Sequence, residues 1–200
     1  MHSAWLFLLC EERADREHST GGTGRREEPV AYSQIYAIIL ILYQYMEQPM
    51  VFEILNQDNV EDYIAYLKIA ISEEPNMMTA EKIDEQGIKA RISDPFFNST
   101  ISILAKENGK VVGRIEYHFY GCIQDGYKMA YVDWVYVLKS YRHRGIAQML
   151  FAEFEKDCTQ NNIDQFYLIR ATNEDANRFY KKFENVELSE SPVLRKYLKK

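Results

Sequence analysis

Arg142, Arg144 and Gly145 stand in a six-residue turn, Arg142-His143-Arg144-Gly145-Ile146-Ala147, between two segments of opposite periodicity. Upstream, Val132 to Val137 is β-branched and aromatic and reads as a buried strand. Downstream, Ile146, Met149, Leu150 and Phe154 recur at helical spacing and predict a helix that begins near Gly145. The first turn of a helix has N–H groups without intrahelical partners and carries partial positive charge. The main-chain N–H groups of residues 142–147 and the two guanidinium groups are therefore expected to converge on an anion, with phosphate oxygens the natural ligand. Gly145 and Ala147 keep side-chain bulk away from such a ligand. The alternative is a plain strand-to-helix turn with arginines on its surface.

Other residues carry groups suited to proton transfer. Asp133 interrupts an otherwise apolar strand, where a carboxylate is costly unless it has a partner or a task. Simple alternation puts it on the face of Tyr131, Val135 and Val137. There it either takes a proton from, or pairs with, a bound ammonium group, or it is salt-bridged to a lysine or arginine and does no chemistry. Glu116, on the preceding strand, is a second candidate for substrate binding, against the commoner case of a solvent-facing glutamate. Tyr180 has a phenol that can donate a proton, or it completes an apolar helix face with Ala176, Phe179 and Phe183. His118 and His143 are bases on chemical grounds alone.

The order strand, Arg-x-x-Gly-x-Ala, helix resembles the acyl-CoA-binding motif of the GNAT superfamily of N-acetyltransferases. Downstream, Asn173-Glu174-Asp175-Ala176-Asn177-Arg178-Phe179-Tyr180 is similar to the family's Asn-x-x-Ala-x-x-Phe-Tyr segment. The two motifs stand in the family's order, and the resemblance covers roughly residues 50–200. It implies that Arg142, His143, Arg144, Gly145, Ile146 and Ala147 hold the pyrophosphate of acetyl-CoA, and that main-chain groups of Val135 and Val137 contact the pantetheine. By the same resemblance, Tyr180 protonates the departing CoA sulfur, and any general base belongs on the strand of Asp133. Asn173 either contacts the cofactor or its waters, or caps the helix that follows. The chain departs from the family at Glu184 and Asn185, where members commonly have Gly-Phe; the loop after the helix, and the acceptor pocket with it, is the part affected. Asparagine can end a helix in the left-handed conformation.

The elements that would position these residues follow from the pattern. Met50 opens a strand; Asp58-Asn59-Val60-Glu61 is shaped like a capping box for a helix with Val60, Tyr63, Ile64 and Leu67 on one face, ending before Pro75. A second helix is expected from Thr79 to Ile92, stopped by Asp94-Pro95. Strands over Thr100–Ala105 and Val111–Tyr120 flank Asn108-Gly109, a strong hairpin signal. After the strand Phe166–Ile169 comes a helix over Asn173–Phe183, then extended segments near Val186–Leu188 and Val193–Tyr197. Together these predict a mixed, mostly antiparallel sheet with helices on both faces, an α/β (α+β) fold that agrees with the family resemblance.

The whole chain limits the reading further. Its 200 residues suit one domain plus an extension. A net charge of −6 and a pI near 5.3 argue against a nucleic-acid binder and favour a cationic substrate. Cys10, Cys122 and Cys158 have neither metal-ligand nor disulfide spacing, so no metal is expected and a reducing cytoplasm suits them. Residues 1–49 are expected to be a disordered or non-native extension, with a native start at Met46 or Met50 as one alternative. Neither Ala4–Cys10 nor Ile35–Tyr45 is long enough to span a bilayer, so no membrane association is expected, although the latter could form an interfacial or docking helix. The combined expectation is direct acetyl transfer from acetyl-CoA to a primary amine of a small molecule. The alternatives are a protein lysine or N-terminal acetyltransferase, and a catalytically inactive CoA-binding sensor. Unpaired edge strands leave a homodimer open.

Overall fold

The computed structural model describes residues 49–75, 82–171, 173–189, 194, 196 and 198. In chain order the elements are β1 (Val51–Ile54), α1 (Val60–Glu73), α2 (Glu85–Ile92), β2 (Thr100–Glu107), β3 (Lys110–Gly121), β4 (Lys128–Val137), α3 (Ile146–Gln160), β5 (Gln165–Leu168) and α4 (Glu174–Tyr180). The strands form one sheet in the order β1-β2-β3-β4-β5, antiparallel except where β4 meets β5. The parallel pair is joined through α3, as a parallel connection requires. Asn108 and Gly109, at φ 51° and 74°, make the two-residue turn between β2 and β3 that the Asn-Gly pair predicts.

Helices cover both faces. On one, Ile146, Leu150, Phe151, Phe154 and Cys158 of α3 pack on Ile103, Val112, Ile115, Tyr117, Ala130, Val132 and Val137 of the sheet. Phe154 lies 4.6 Å from the Tyr117 ring and 5.0 Å from Phe166, centroid to centroid, so this layer is dry and aromatic. Phe179 and Phe183 add to it through Phe151. On the other face, Tyr63, Tyr66 and Ala70 of α1 cover Leu104, Val111 and Tyr136, and the Tyr66 hydroxyl donates to the Tyr136 carbonyl at 3.0 Å.

Several local expectations change. The start of α1 is not closed by an Asp58–Glu61 capping box: Asn59 is the N-cap residue without a side-chain cap bond, and Asn56 Oδ1 accepts from the N–H of Asp58 and Asn59. Such local bonds outcompete a box when asparagine stands in the turn. The second helix begins only at Glu85, because Asp84 turns the chain and accepts from Gly87 N–H at 2.9 Å; positions 79–81 lie outside the described residues. Val186–Leu188 joins no strand ladder, Asn185 is left-handed at φ 56° but lies beyond the end of α4, and most of Val193–Tyr197 lies outside the described residues.

The change that matters for the site is in β4. Trp134 pairs with Glu116 and Val132 with Tyr117, so Asp133 is an extra residue, a β-bulge. Side-chain alternation reverses there. Before the bulge Ala130 and Val132 face α3; after it Val135 and Val137 do. Tyr131 therefore shares a face with Trp134 and Tyr136, and the expected common face of Tyr131, Asp133, Val135 and Val137 does not exist.

Candidate active site

The bulge coincides with an opening in the sheet. β4 pairs with β5 only from Met129↔Gln165 to Val132↔Leu168. Beyond that rung, among the described residues, Trp134–Val137 pairs with β3 alone. Val135 and Val137 lie in this stretch. The Val137 carbonyl is already engaged, accepting from Arg142 Nε at 3.0 Å, so an incoming ligand would meet the remaining main-chain groups.

From Val137 the chain passes through a short 3-10 turn, Lys139–Tyr141, into the predicted cradle. His143 and Gly145 both have left-handed backbones, φ 63° and 78°, and α3 starts at Ile146 without a side-chain cap. A Cβ at Gly145 would meet no protein atom within 4 Å, so the backbone angle, rather than crowding by the protein, calls for glycine. The first-turn N–H groups of α3, including those of Ile146 and Ala147, are an uncapped partial positive charge.

The two guanidinium groups do not converge on this point as expected. Arg142 lies over the Tyr136 ring, 5.0 Å from its centroid, with Glu74 at 3.8 Å. Arg144 is bidentate to Glu107, at 3.1 and 2.5 Å. A nearby carbonyl and two carboxylates satisfy these cations better than open solvent would. The loop is held from behind by Glu73, which accepts from Tyr136 Oη and from Lys139 N–H, each at 2.9 Å.

Tyr180 ends α4 half-buried, its ring 5.3 Å from Phe179 and 6.2 Å from Phe183. Packing and an available hydroxyl thus coexist, since the hydroxyl makes no hydrogen bond among the described residues. Burial raises its pKa above the usual tyrosine value, against a smaller opposing effect of Arg170, so the phenol is a proton carrier at neutral pH. Asn173 is the N-cap of α4: its Oδ1 accepts from Ala176 N–H at 2.8 Å.

Asp133 is exposed and makes no ion pair among the described residues. Glu116 is not solvent-facing: its carboxylate is 21% exposed, and Oε2 accepts from Ser102 Oγ at 2.5 Å and Arg114 NH1 at 2.9 Å. Arg114 is 8% exposed and also donates to Tyr63 Oη at 2.5 Å. Around Glu116 the register places a polar and aromatic patch on the face opposite α3. His118 lies across from Tyr131, Tyr131 across from Tyr167, and Trp134 across from Glu116. The Tyr131 and Tyr167 rings are 5.0 Å apart.

Sequence reasoning did not single out Tyr167, Arg114, Ser102 or Glu107, and it gave His118 no setting. An in-out alternation around Phe166 carries a weak signal for Tyr167. The others are joined by cross-strand register, which no local pattern displays. Tyr117 and Phe119, adjacent in sequence to the polar patch, face the α3 core instead.

The domain model of the Acetyltransferase (GNAT) family matches residues 51–184, and the chain belongs to that family. It is an acyltransferase. Among solved structures, a ribosomal-protein-alanine N-acetyltransferase from Brucella melitensis biovar Abortus 2308 is 17% identical with a TM-score of 0.60, the match covering 74% of this chain and 99% of that one. An aminoglycoside acetyltransferase, meta-AAC0020, from an uncultured soil metagenomic sample in complex with sisomicin is 14% identical with a TM-score of 0.64, covering 75% and 97%. A possible acetyltransferase from Clostridium difficile 630 is 19% identical with a TM-score of 0.54, covering 74% and 100%. At these identities the likeness is one of fold. No curated protein sequence gives a significant match to the chain.

Proposed function

We propose that the protein transfers an acetyl group from acetyl-CoA to a primary amine of a small molecule, directly and without a covalent enzyme intermediate. The observation that carries this reading is the opening of β4 from β5 beyond Val132↔Leu168, which leads into the left-handed turn and the uncapped start of α3. An extended pantetheine chain fits beside the unpaired edge of Trp134–Val137. A pyrophosphate fits the N–H groups of residues 143–147, where helix-end charge and glycine backbone suit an anion; the Arg142 N–H is spent on the Lys139 carbonyl at 3.3 Å. Acetyl-CoA supplies the activated acyl group as a thioester.

This chain's residues do the rest. The cradle and the strand edge of Val135 and Val137 orient the thioester, and the Tyr180 hydroxyl donates a proton to the departing sulfur. Asp133 gives the acceptor side an exposed negative charge, and Glu116, already paired with Arg114, offers its second oxygen to an ammonium ion beside Tyr131 and Tyr167. The likeness to a fold seen with sisomicin, a small polyamine, supports a small-molecule acceptor. The free thiols of Cys122 and Cys158 support a cytoplasmic setting.

Gly145→Glu tests the cofactor assignment. It places bulk, negative charge and an unfavourable backbone angle at the proposed pyrophosphate position. Calorimetry should show acetyl-CoA binding abolished while the cooperative melt is kept. Wild-type affinity in that variant would remove the assignment.

A further inference from the structure

We infer that His118 is the residue that takes the proton from the acceptor's ammonium group, with Glu116 holding that ammonium in place. This deepens the acetyl-transfer reading above and rests on it. The requirement comes from simple chemistry: an alkylamine with a pKa near that of lysine, about 10.4, is neutral in only on the order of one molecule in a thousand at pH 7. A site that binds the ammonium form needs a group to receive the proton. Asp133 is poorly built for it, being an exposed bulge residue whose side chain has no hydrogen-bonding neighbour among the described residues.

His118 is better placed. The strand register puts it on the face of Glu116, two residues along β3, and directly across from Tyr131. Tyr131 is one residue before the last β4–β5 rung, at the mouth of the opening. Cross-strand partners have Cβ atoms about 4.5–5.5 Å apart, so an amine bound over Tyr131 and Glu116 lies within reach of the imidazole. The ring is half-buried and positioned by Thr100, whose Oγ1 lies 3.1 Å from Nδ1. Of the two tautomers this contact allows, the one with Nδ1–H donating to the Thr100 oxygen leaves the lone pair on Nε2, which has no hydrogen bond among the described residues, and this is the tautomer the proposed role requires.

Glu116 is held for a different task. Ser102 and Arg114 both donate to Oε2, and Oε1, which has no hydrogen bond among the described residues, is the oxygen that accepts from the ammonium group. The charged and titratable groups facing His118 are Glu116 and Tyr120 on β3, Tyr131 on β4 and Tyr167 on β5, with Arg114 behind Glu116. In the reaction the ammonium N–H bond breaks and its proton passes to Nε2. The nitrogen lone pair forms the N–C bond at the acetyl carbon as the C–S bond breaks. Tyr180 gives its proton to sulfur, and a second nitrogen proton restores the hydroxyl by way of solvent. The balance is one amide, one thiol and one proton carried off by His118.

The test uses the full-length chain, acetyl-CoA, and the primary amines sisomicin, tyramine and spermidine as probes. In His118→Gln, which keeps a side chain able to bond Thr100, kcat should fall about 10²- to 10⁴-fold while acetyl-CoA affinity is unchanged. The deficit should shrink roughly tenfold per pH unit as the pH approaches the amine's own pKa, because the neutral amine then arrives from solution. A purely structural role would leave the deficit constant with pH. If His118→Gln does not fold, His118→Ala with added imidazole replaces it, and recovery of rate supports the assignment. Wild-type-like kcat, a pH-independent deficit, or no rescue by imidazole overturns it. Wild-type protein that binds acetyl-CoA and acetylates none of the amines overturns the amine-transfer reading itself.

Discussion

The two faces of the sheet are built from the same strands and differ in chemistry. Toward α3, Tyr117, Phe151, Phe154 and Phe166 form a continuous aromatic layer, and its one polar device among these rings is the Tyr117 hydroxyl, which donates to Asp157 at 2.5 Å. Toward α1, the centre of the sheet holds Arg114, Glu116, Ser102, His118 and Trp134. The first arrangement gains from every apolar surface it buries. The second gives up part of that gain: Arg114 Nε is buried without a hydrogen-bond partner among the described residues, and replacing a buried ion pair with hydrocarbon is often neutral or stabilising. A costly polar cluster kept beside the β4–β5 opening is consistent with the acceptor site proposed for this face. The bulge at Asp133 lets one strand contribute Val132, Val135 and Val137 to the dry face while turning Tyr131 and Trp134 to the polar one.

Tyr180 is the sharpest way to break this division, since it packs with the aromatic layer and is assigned to chemistry. Tyr180→Phe keeps the ring and removes only the hydroxyl. Turnover should fall about 10²- to 10⁴-fold in steady-state assays, with the thermal melt and acetyl-CoA affinity unchanged. Because burial raises the tyrosine pKa, the wild-type enzyme should lose activity through this group only at pH values above the ordinary tyrosine range. Full activity in the variant, with chemistry rate-limiting, would return Tyr180 wholly to the aromatic layer.

Phe154→Ala probes the dry face alone. Its ring is fully buried between Tyr117, Phe151 and Phe166, so urea unfolding should show a loss of roughly 3–5 kcal/mol. Acetyl-CoA affinity of the folded fraction should stay within about twofold, since Phe154 sits in the middle of α3, about two turns beyond the cradle at its start. A selective loss of affinity at full stability would mean that the two regions are not separate.

The smallest effect is expected at Asn173. Asn173→Ala removes the cap of α4 and should cost about 1 kcal/mol of stability, with acetyl-CoA binding by calorimetry unchanged. A large affinity loss without a stability change would make Asn173 a cofactor ligand after all.

Much of the framework was legible from local pattern. The Asn108-Gly109 turn, the strand before the cradle and the α3 face of Ile146, Leu150 and Phe154 all form as periodicity and turn chemistry dictate. The N-cap reading of Asn173 also stands, because a cap is decided within four residues. The failures share a cause. The Asp58–Glu61 box lost to asparagine bonds one turn earlier, and the face of Asp133 was misjudged because strict alternation has no term for an inserted residue.

The order of residues by itself determined the strand, the glycine turn and the helix start of the proposed anion cradle, because those depend on backbone angles and neighbours a few positions away. Where the arginines of that cradle point was decided only by folding, since Glu74 and Glu107 arrive from distant segments and hold Arg142 and Arg144. The same is true of the polar face. Ser102, Glu116, His118, Trp134 and Tyr167 come from four strands, and their meeting depends on sheet register and on one bulge, which are properties of the paired strands and of no single one of them.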